Sequence, residues 1–291
     1  METKTKRKFS KISVAVSSFI VAIFLTTFKA VVGIATGSLG IISEAIHSGM
    51  DMFAAGITLF SVKFSSKPPD ERHNFGHGKI ENISAFIEAL LLLATSFWVI
   101  WEAYERLTGK NVEVEVNFWS FFVIIFAIII DVNRARILKK ASEEYQSQAL
   151  EADALHFSSD ILTSGVVLLG LVFTLLKIPT ADVIAAIIVS LVVMQMSLKL
   201  AYNSINFLLD SAPIAKQTIK EIVTRVPDVR DVHDIRVRSS GSTIFVDMNI
   251  HVNPNLSIED AHKISHQVEE EIRKEFSNCE IHIHQEPDDS H

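Results

Sequence analysis

Six apolar runs, each long enough to cross a bilayer, set the first limit on this chain. About 20 residues suffice for one crossing helix, and runs of that order lie near 12–34, 39–63, 80–107, 117–139, 149–176 and 179–209. Apolar residues make up 48% of the 291, concentrated in the first 209. The expected organisation is a basic N-terminus (1–11), a membrane part (12–209) and a soluble part (210–291). Gly37-Ser-Leu-Gly40 makes a tight turn into the second run, Pro68-Pro69 stops it, and Pro179 suits the first turn of the sixth. Trp98, Trp101 and Tyr104 close the third run as an aromatic belt. Lys29, near the far end of the first run, is expected to snorkel to the interface.

Orientation follows from the Lys/Arg bias of the short loops. The N-terminus (Lys4, Lys6, Arg7, Lys8, Lys11), residues 64–79 (Lys67, Arg72, Lys79) and residues 134–148 (Arg134, Arg136, Lys139, Lys140) are basic. Residues 35–38, 108–116 and 177–178 offer only Lys110, set against Glu113 and Glu115, and Lys177. With six spans, both termini are then expected in the cytosol of an integral protein of the cell (inner) membrane. The basic-then-apolar start resembles a signal peptide but lacks a clear small-residue cleavage site, so it is expected to stay as the first span.

Two of the runs carry the same constellation, His47-x-x-x-Asp51 and His156-x-x-x-Asp160. Ionisable groups are costly inside a membrane and mark function by default. Residues four apart share a helix face, so each pair aims an imidazole and a carboxylate at one spot. One such pair alone can be an interhelical hydrogen bond. Two, side by side, supply two nitrogens and two carboxylate oxygens, a set suited to Zn²⁺ or a similar ion. Of the other polar groups, Asp131 could lie on the ion's path but is expected at the interface beside Arg134 and Arg136, and Glu88 is expected as an interhelical hydrogen-bond partner rather than a ligand. Asp153 lines the cytosolic mouth of the site or caps its helix. Phe118, Phe121, Phe122 and Phe126 read as a lipid-facing surface.

The tail, 210–291, holds 9 Lys+Arg against 16 Asp+Glu, the whole of the chain's net charge of −7, and 7 of its 11 histidines. That balance suits divalent cations and argues against nucleic acid. The single cysteine, Cys279, excludes an intrachain disulfide framework and a multi-thiolate metal site. Helical spacing covers Pro213 to Val226, and strands are expected over Val232–Ser239 and Thr243–Val252, joined by Ser240-Gly241. Ser257-x-x-Asp260 caps a helix to Phe276, and Glu280–His284 alternates as a last strand. The order αββαβ predicts a small α+β domain, one sheet covered by helices on one face.

With these pairs on spans two and five, and an αββαβ tail, the chain resembles the cation diffusion facilitator family over nearly its whole length. The strings that carry the likeness are Gly37-Ser-Leu-Gly40…Ser43-Glu-Ala-Ile-His47, His73-Asn-Phe-Gly-His77-Gly-Lys79, Ala152-Asp-Ala-Leu-His156…Asp160 and Ile283-His-Gln-Glu-Pro287. The resemblance implies a homodimeric divalent metal/proton antiporter of the zinc-transporting type, with a metallochaperone-like (ferredoxin-like) soluble domain. It implies His47, Asp51, His156 and Asp160 as the transport site, and Asp70, His73 and His77 as a loop site; that loop also reads as ordinary polar surface. In the soluble domain, His233, His262, His284 and Glu286 match a dimer-bridging site, but Asn249 stands where a His can occur. Asp247, His251 and His282, on neighbouring outward faces, are candidate substitutes. Lys79 and Asp210 match a charge pair that locks the dimer near the membrane; a surface ion pair of little worth is the plainer reading.

The expected mechanism is alternating access, in which metal and protons compete for the central site. Two His and two Asp favour Zn²⁺ or Cd²⁺ over Mn²⁺, with Fe²⁺, Co²⁺ and Ni²⁺ open, and the tail is expected to sense cytosolic metal. An intramembrane metalloprotease would need His-Glu-x-x-His, which the chain lacks, so no enzyme is expected. A non-transporting membrane metal sensor or scaffold is the alternative.

Overall fold

The computed structural model describes residues 10–37, 39–108, 118–175 and 179–288. The loop expectations at 108–116 and 177–178, apart from Thr108, and the basic residues before Ser10, lie outside the described residues. Six long helices come first: α1 (Lys11–Thr36), α2 (Leu39–Ser65), α3 (Ile80–Leu107), α4 (Phe118–Tyr145), α5 (Gln148–Leu175) and α6 (Pro179–Leu208). Then follow α7 (Lys216–Val223), β1 (Asp231–Ser240), β2 (Thr243–Val252), α8 (Ile258–Glu275) and β3 (Cys279–Pro287). The chain divides into two compact units, one of residues 1–67 with 80–204, the other of Pro68–Lys79 with Ile205–His291.

In the helical unit, Ser10 opens α1 by accepting the Ser13 N–H, and Gly37 closes it in the left-handed region at φ 67°. At Gly33 an added Cβ would meet Ile42 Cγ1 at 2.9 Å, so the missing side chain lets α1 and α2 approach closely. Among the described residues, four helical segments are long and apolar enough to cross a membrane: Lys11–Thr36, Glu44–Ser65, Ile80–Glu105 and Val183–Leu208. In α4 and α5 the apolar runs are broken by Asp131 and Arg134 and by Asp153, His156 and Asp160. All but Asp160, which is half-buried, are turned inward and buried.

Several expectations change here. The fourth helix does not stop near 139 but runs to Tyr145, so the basic 134–148 segment is mostly helix. Arg134 is buried and ties α4 to α1, donating to the Val14 carbonyl (2.9 Å) and to Ser17 Oγ (3.2 Å). Asp131 is buried rather than interfacial, because its face of α4 packs toward the centre of the unit. Lys29 is likewise buried and does not snorkel; it finds polar partners on α2. Phe126 packs against Phe28 (5.0 Å between ring centroids), so part of the face read as lipid-exposed joins α4 to α1. Asp153, fully buried, accepts from Ser18 Oγ at 2.7 Å. Glu88, also fully buried, accepts from Thr58 Oγ1, an interhelical bond as expected. Glu81 gathers Lys11, Ser65 and Ser147, pinning α1, α2, α3 and the α4–α5 turn at one end of the unit.

The tail has the order α7-β1-β2-α8-β3, with a sheet ordered β1-β2-β3 in which β1–β2 is antiparallel and β2–β3 parallel. Ile219, Ile222, Val223, Ile264, Val268 and Ile272 of the two helices cover one sheet face, against Val246, Met248 and Ile250. In β1 the pairing slips between His233 and Arg236, where Asp234 adopts φ 51°. This bulge reverses the alternation, so Val232 before it and Ile235 and Val237 after it all reach the core. The first tail helix is shorter than the expected 213–226, ending at the Thr224 cap. The last strand is longer, because it pairs with β2 through Val252↔Pro287.

Candidate metal sites

The 3.6-residue period places His47 and Asp51 on one face of α2, and His156 and Asp160 on one face of α5. Packing of α2 on α5 brings the two faces together. His47 Nε2 lies 4.0 Å from Asp51 Oδ1 and 3.8 Å from Asp160 Oδ1. His156 Nε2 lies 3.0 Å from Asp51 Oδ1 and 3.9 Å from Asp160 Oδ2. The four side chains thus form a closed ring in which each imidazole faces both carboxylates. Bonds of about 2.0–2.1 Å put the ligand atoms of tetrahedral Zn²⁺ about 3.3–3.4 Å apart, so a small contraction of the wider contacts would suit it. His47, Asp51 and Asp160 each offer a ligand atom within 4.8 Å of the other two, and His156 closes the ring through its 3.0 Å contact with Asp51. The His47 side chain is 41% exposed and that of His156 only 7%, which makes the ring open on the His47 side. A cavity leads there, lined by Lys29, Glu44, His47, Asp51, Asp131 and Asp160.

The loop between α2 and α3 folds with the second unit. Asp70 Oδ1 accepts the backbone N–H groups of His73 (2.7 Å) and Arg72 (2.9 Å). Its carboxylate also faces His73 Nδ1 at 3.1 Å and His77 Nε2 at 3.3 Å. The His73 backbone N–H chiefly holds this carboxyl below the usual aspartate range; desolvation opposes it, and the Arg72 N–H and the His73 ring add to the lowering. All three predicted loop residues therefore converge on one point. Lys79 Nζ sits 2.9 Å from Asp210 Oδ1, and Asp210 takes a left-handed φ of 59° at the end of α6. Both side chains are substantially exposed, so the pair contributes little stability within one chain.

On the outer face of the tail sheet, register decides the grouping. β2 pairs with β3 as Asp247↔His282, Asn249↔His284 and His251↔Glu286, and β1 sets His233 opposite Asn249. Glu286 Oε2 lies 3.4 Å from His233 Nε2 and 3.2 Å from His251 Nε2, while Oε1 accepts from Asn249 Nδ2 at 2.8 Å and lies 3.7 Å from His284 Nε2. His233, His251 and Glu286 form the compact trio, with His284 at its edge. His262 is not brought to it within one chain: it lies on α8, its Nε2 3.1 Å from that of His266, its neighbour one helical turn on. Asp247 and His282 stand side by side two residues along the strands.

Residues 15–209 match the family described as Cation efflux transmembrane domain, and residues 212–288 match Cation efflux protein, cytoplasmic domain. The chain belongs to the cation efflux family. Among its relatives is Cation-efflux pump FieF of Pectobacterium atrosepticum, 30% identical over 94% of this chain and 91% of that protein. Metal tolerance protein 2 of Oryza sativa subsp. japonica is 31% identical over 90% of this chain and 75% of its own length. A solved MamM CTD shows 36% identity over 25% of this chain and 90% of its own, with a TM-score of 0.24. The chain is thus an integral membrane protein of a transporter family, a helical membrane domain followed by a soluble α/β domain.

Lys29 and Asp131, both expected at the interface, line the cavity beside the ring instead. The signal that exposes them is the one used for the histidines: a charge within an apolar run faces a cavity or a partner. Proximity to a helix end pointed instead to the interface.

Proposed function

We propose that this chain exports divalent metal cations, Zn²⁺ foremost, from the cytosol in exchange for protons, by alternating access at His47, Asp51, His156 and Asp160. The observation that carries the reading is the closed ring of two imidazoles and two carboxylates, at 3.0–4.0 Å, between α2 and α5. Zn²⁺ binds neutral imidazole and ionised carboxylate, so metal expels protons and protons expel metal. Histidine titrates near physiological pH, which makes His47 and His156 the proton carriers. The donor set suits Zn²⁺ or Cd²⁺ over Mn²⁺, which prefers carboxylates, and leaves Fe²⁺, Co²⁺ and Ni²⁺ as open candidates.

In this reading residues 12–209 transport and residues 210–291 form a cytosolic regulatory and dimerisation domain of a homodimer. His233, His251, Glu286 and His284 take cytosolic metal there, with His262, Asp247 and His282 as further donors, and Lys79–Asp210 braces each subunit. Asp70, His73 and His77 take a second ion at the loop. Both termini lie in the cytosol and the ring opens to the opposite side, which makes this the outward-open state of a cell-membrane exporter.

The test is metal uptake into proteoliposomes under an imposed pH gradient, comparing Zn²⁺, Cd²⁺, Fe²⁺ and Mn²⁺. Gradient-driven zinc flux is expected, with a loss of about 10²-fold or more in Asp51→Ala and Asp160→Ala, since each removes one of only four donors. Metal binding to the tail without flux in any condition would leave a sensor and end the transport reading.

A further inference from the structure

Lys29 is a buried charge to which the proposed cycle gives no part. It lies in α1 at 6% exposure, and its ammonium donates to Ser48 Oγ at 2.7 Å and pairs with Glu44 at 3.2 Å, both on α2. Those partners flank His47 in sequence, Ser48 next to it and Glu44 one turn before. The side chain lines the same cavity as His47, Asp51, Asp131 and Asp160. A tie between α1 and α2 does not require it, because Thr26 Oγ1 already donates to the Ser48 carbonyl at 2.7 Å. An ammonium in an apolar helix is costly, and the two bonds it makes occupy only part of its three-donor capacity.

We propose that Lys29 is a built-in counter-cation of the metal chamber, a positioning residue that weakens metal binding so that the ion is released. The inference rests on the transport-site reading above. A divalent ion held by Asp51 and Asp160 and the Lys29 ammonium draw on one carboxylate field, in a cavity where charges are poorly screened. Their mutual repulsion raises the free energy of the loaded, open chamber. After the ion leaves, the ammonium remains to offset Asp51 and Asp131, so the empty chamber is not left with uncompensated carboxylates. Glu44 and Ser48 hold the charge at the wall, out of the coordination ring.

The full-length chain in detergent is titrated calorimetrically with Cd²⁺, and the component abolished by Asp51→Ala isolates the chamber from the loop and tail clusters. Lys29→Gln is expected to tighten that component by at least about tenfold, and in proteoliposomes to lower KM and kcat together. Lys29→Arg, which keeps the charge, is expected to retain wild-type affinity and rates. Lys29→Met is made alongside, so that poor folding of one neutral variant leaves the other to be read. Unchanged or weakened affinity in the neutral variants reduces Lys29 to a helix tie and overturns the inference alone. A wild-type chain with no Asp51-dependent component overturns the transport-site reading, and this inference with it.

Discussion

At the scale of single residues, geometry turns ordinary side chains into donors by fixing their second partners. Asp70 is an example outside the membrane: two backbone N–H groups orient one oxygen and leave the carboxylate facing His73 and His77. Because these bonds favour the ionised form, the folded carboxyl titrates below the unfolded one. Its support of the loop is therefore full above the unfolded value and is lost as pH falls through the lower folded value. The Arg72 and His73 amide resonances should follow that titration, with a midpoint below that of free aspartate. Asp70→Asn should abolish the shift and, with it, the metal binding proposed for the loop. A midpoint at or above the free value would mean that the turn does not hold.

Elements carry the next level, and the tail sheet shows how one backbone irregularity sets which face holds the histidines. Asp234 at φ 51° supplies the extra residue that lets Val232, Ile235 and Val237 share the core while His233 stays outside. A left-handed residue costs an L-amino acid about 1–2 kcal/mol, less for Asp and nothing for Gly. Asp234→Gly should leave urea stability of the tail within about 1 kcal/mol, whereas the β-branched Asp234→Val should cost about 1–2 kcal/mol. Equal stabilities would show that the bulge relaxes. In the membrane unit the corresponding device is the pinned helix end: Glu81, Asp153 and Arg134 bind neighbours there, while His47 is a more exposed member of the ring.

At the scale of the molecule, the α2–α3 loop belongs to the same compact unit as the tail. Phe75 packs edge-on to Phe245 at 5.2 Å and under the Arg238 guanidinium at 3.8 Å. Gly78 lies against the Ser240-Gly241 turn so closely that a Cβ would fall 2.4 Å from the Gly241 nitrogen, backbone that cannot swing aside. Gly78→Ala should therefore detach the loop. Limited proteolysis within residues 68–79 is expected to accelerate about tenfold or more, as opening free energy falls by over about 1.4 kcal/mol. An unchanged cleavage rate would show that the loop is held by other contacts.

Periodicity alone determined much of this protein. Long apolar runs require spanning helices, a four-residue spacing puts His47 with Asp51 and His156 with Asp160, and alternation yields the strands of an αββαβ tail. These are properties of one element at a time, set by rise and twist per residue. Tertiary structure decided what lies opposite each face. It turned Lys29 and Asp131 into the chamber, where charge near a helix end had suggested the interface. Through strand register it placed His251 with His233 and Glu286, apart from His262 on α8. Spacing within an element cannot encode those choices, because they depend on helix rotation, on the bulge in β1 and on which elements pack together.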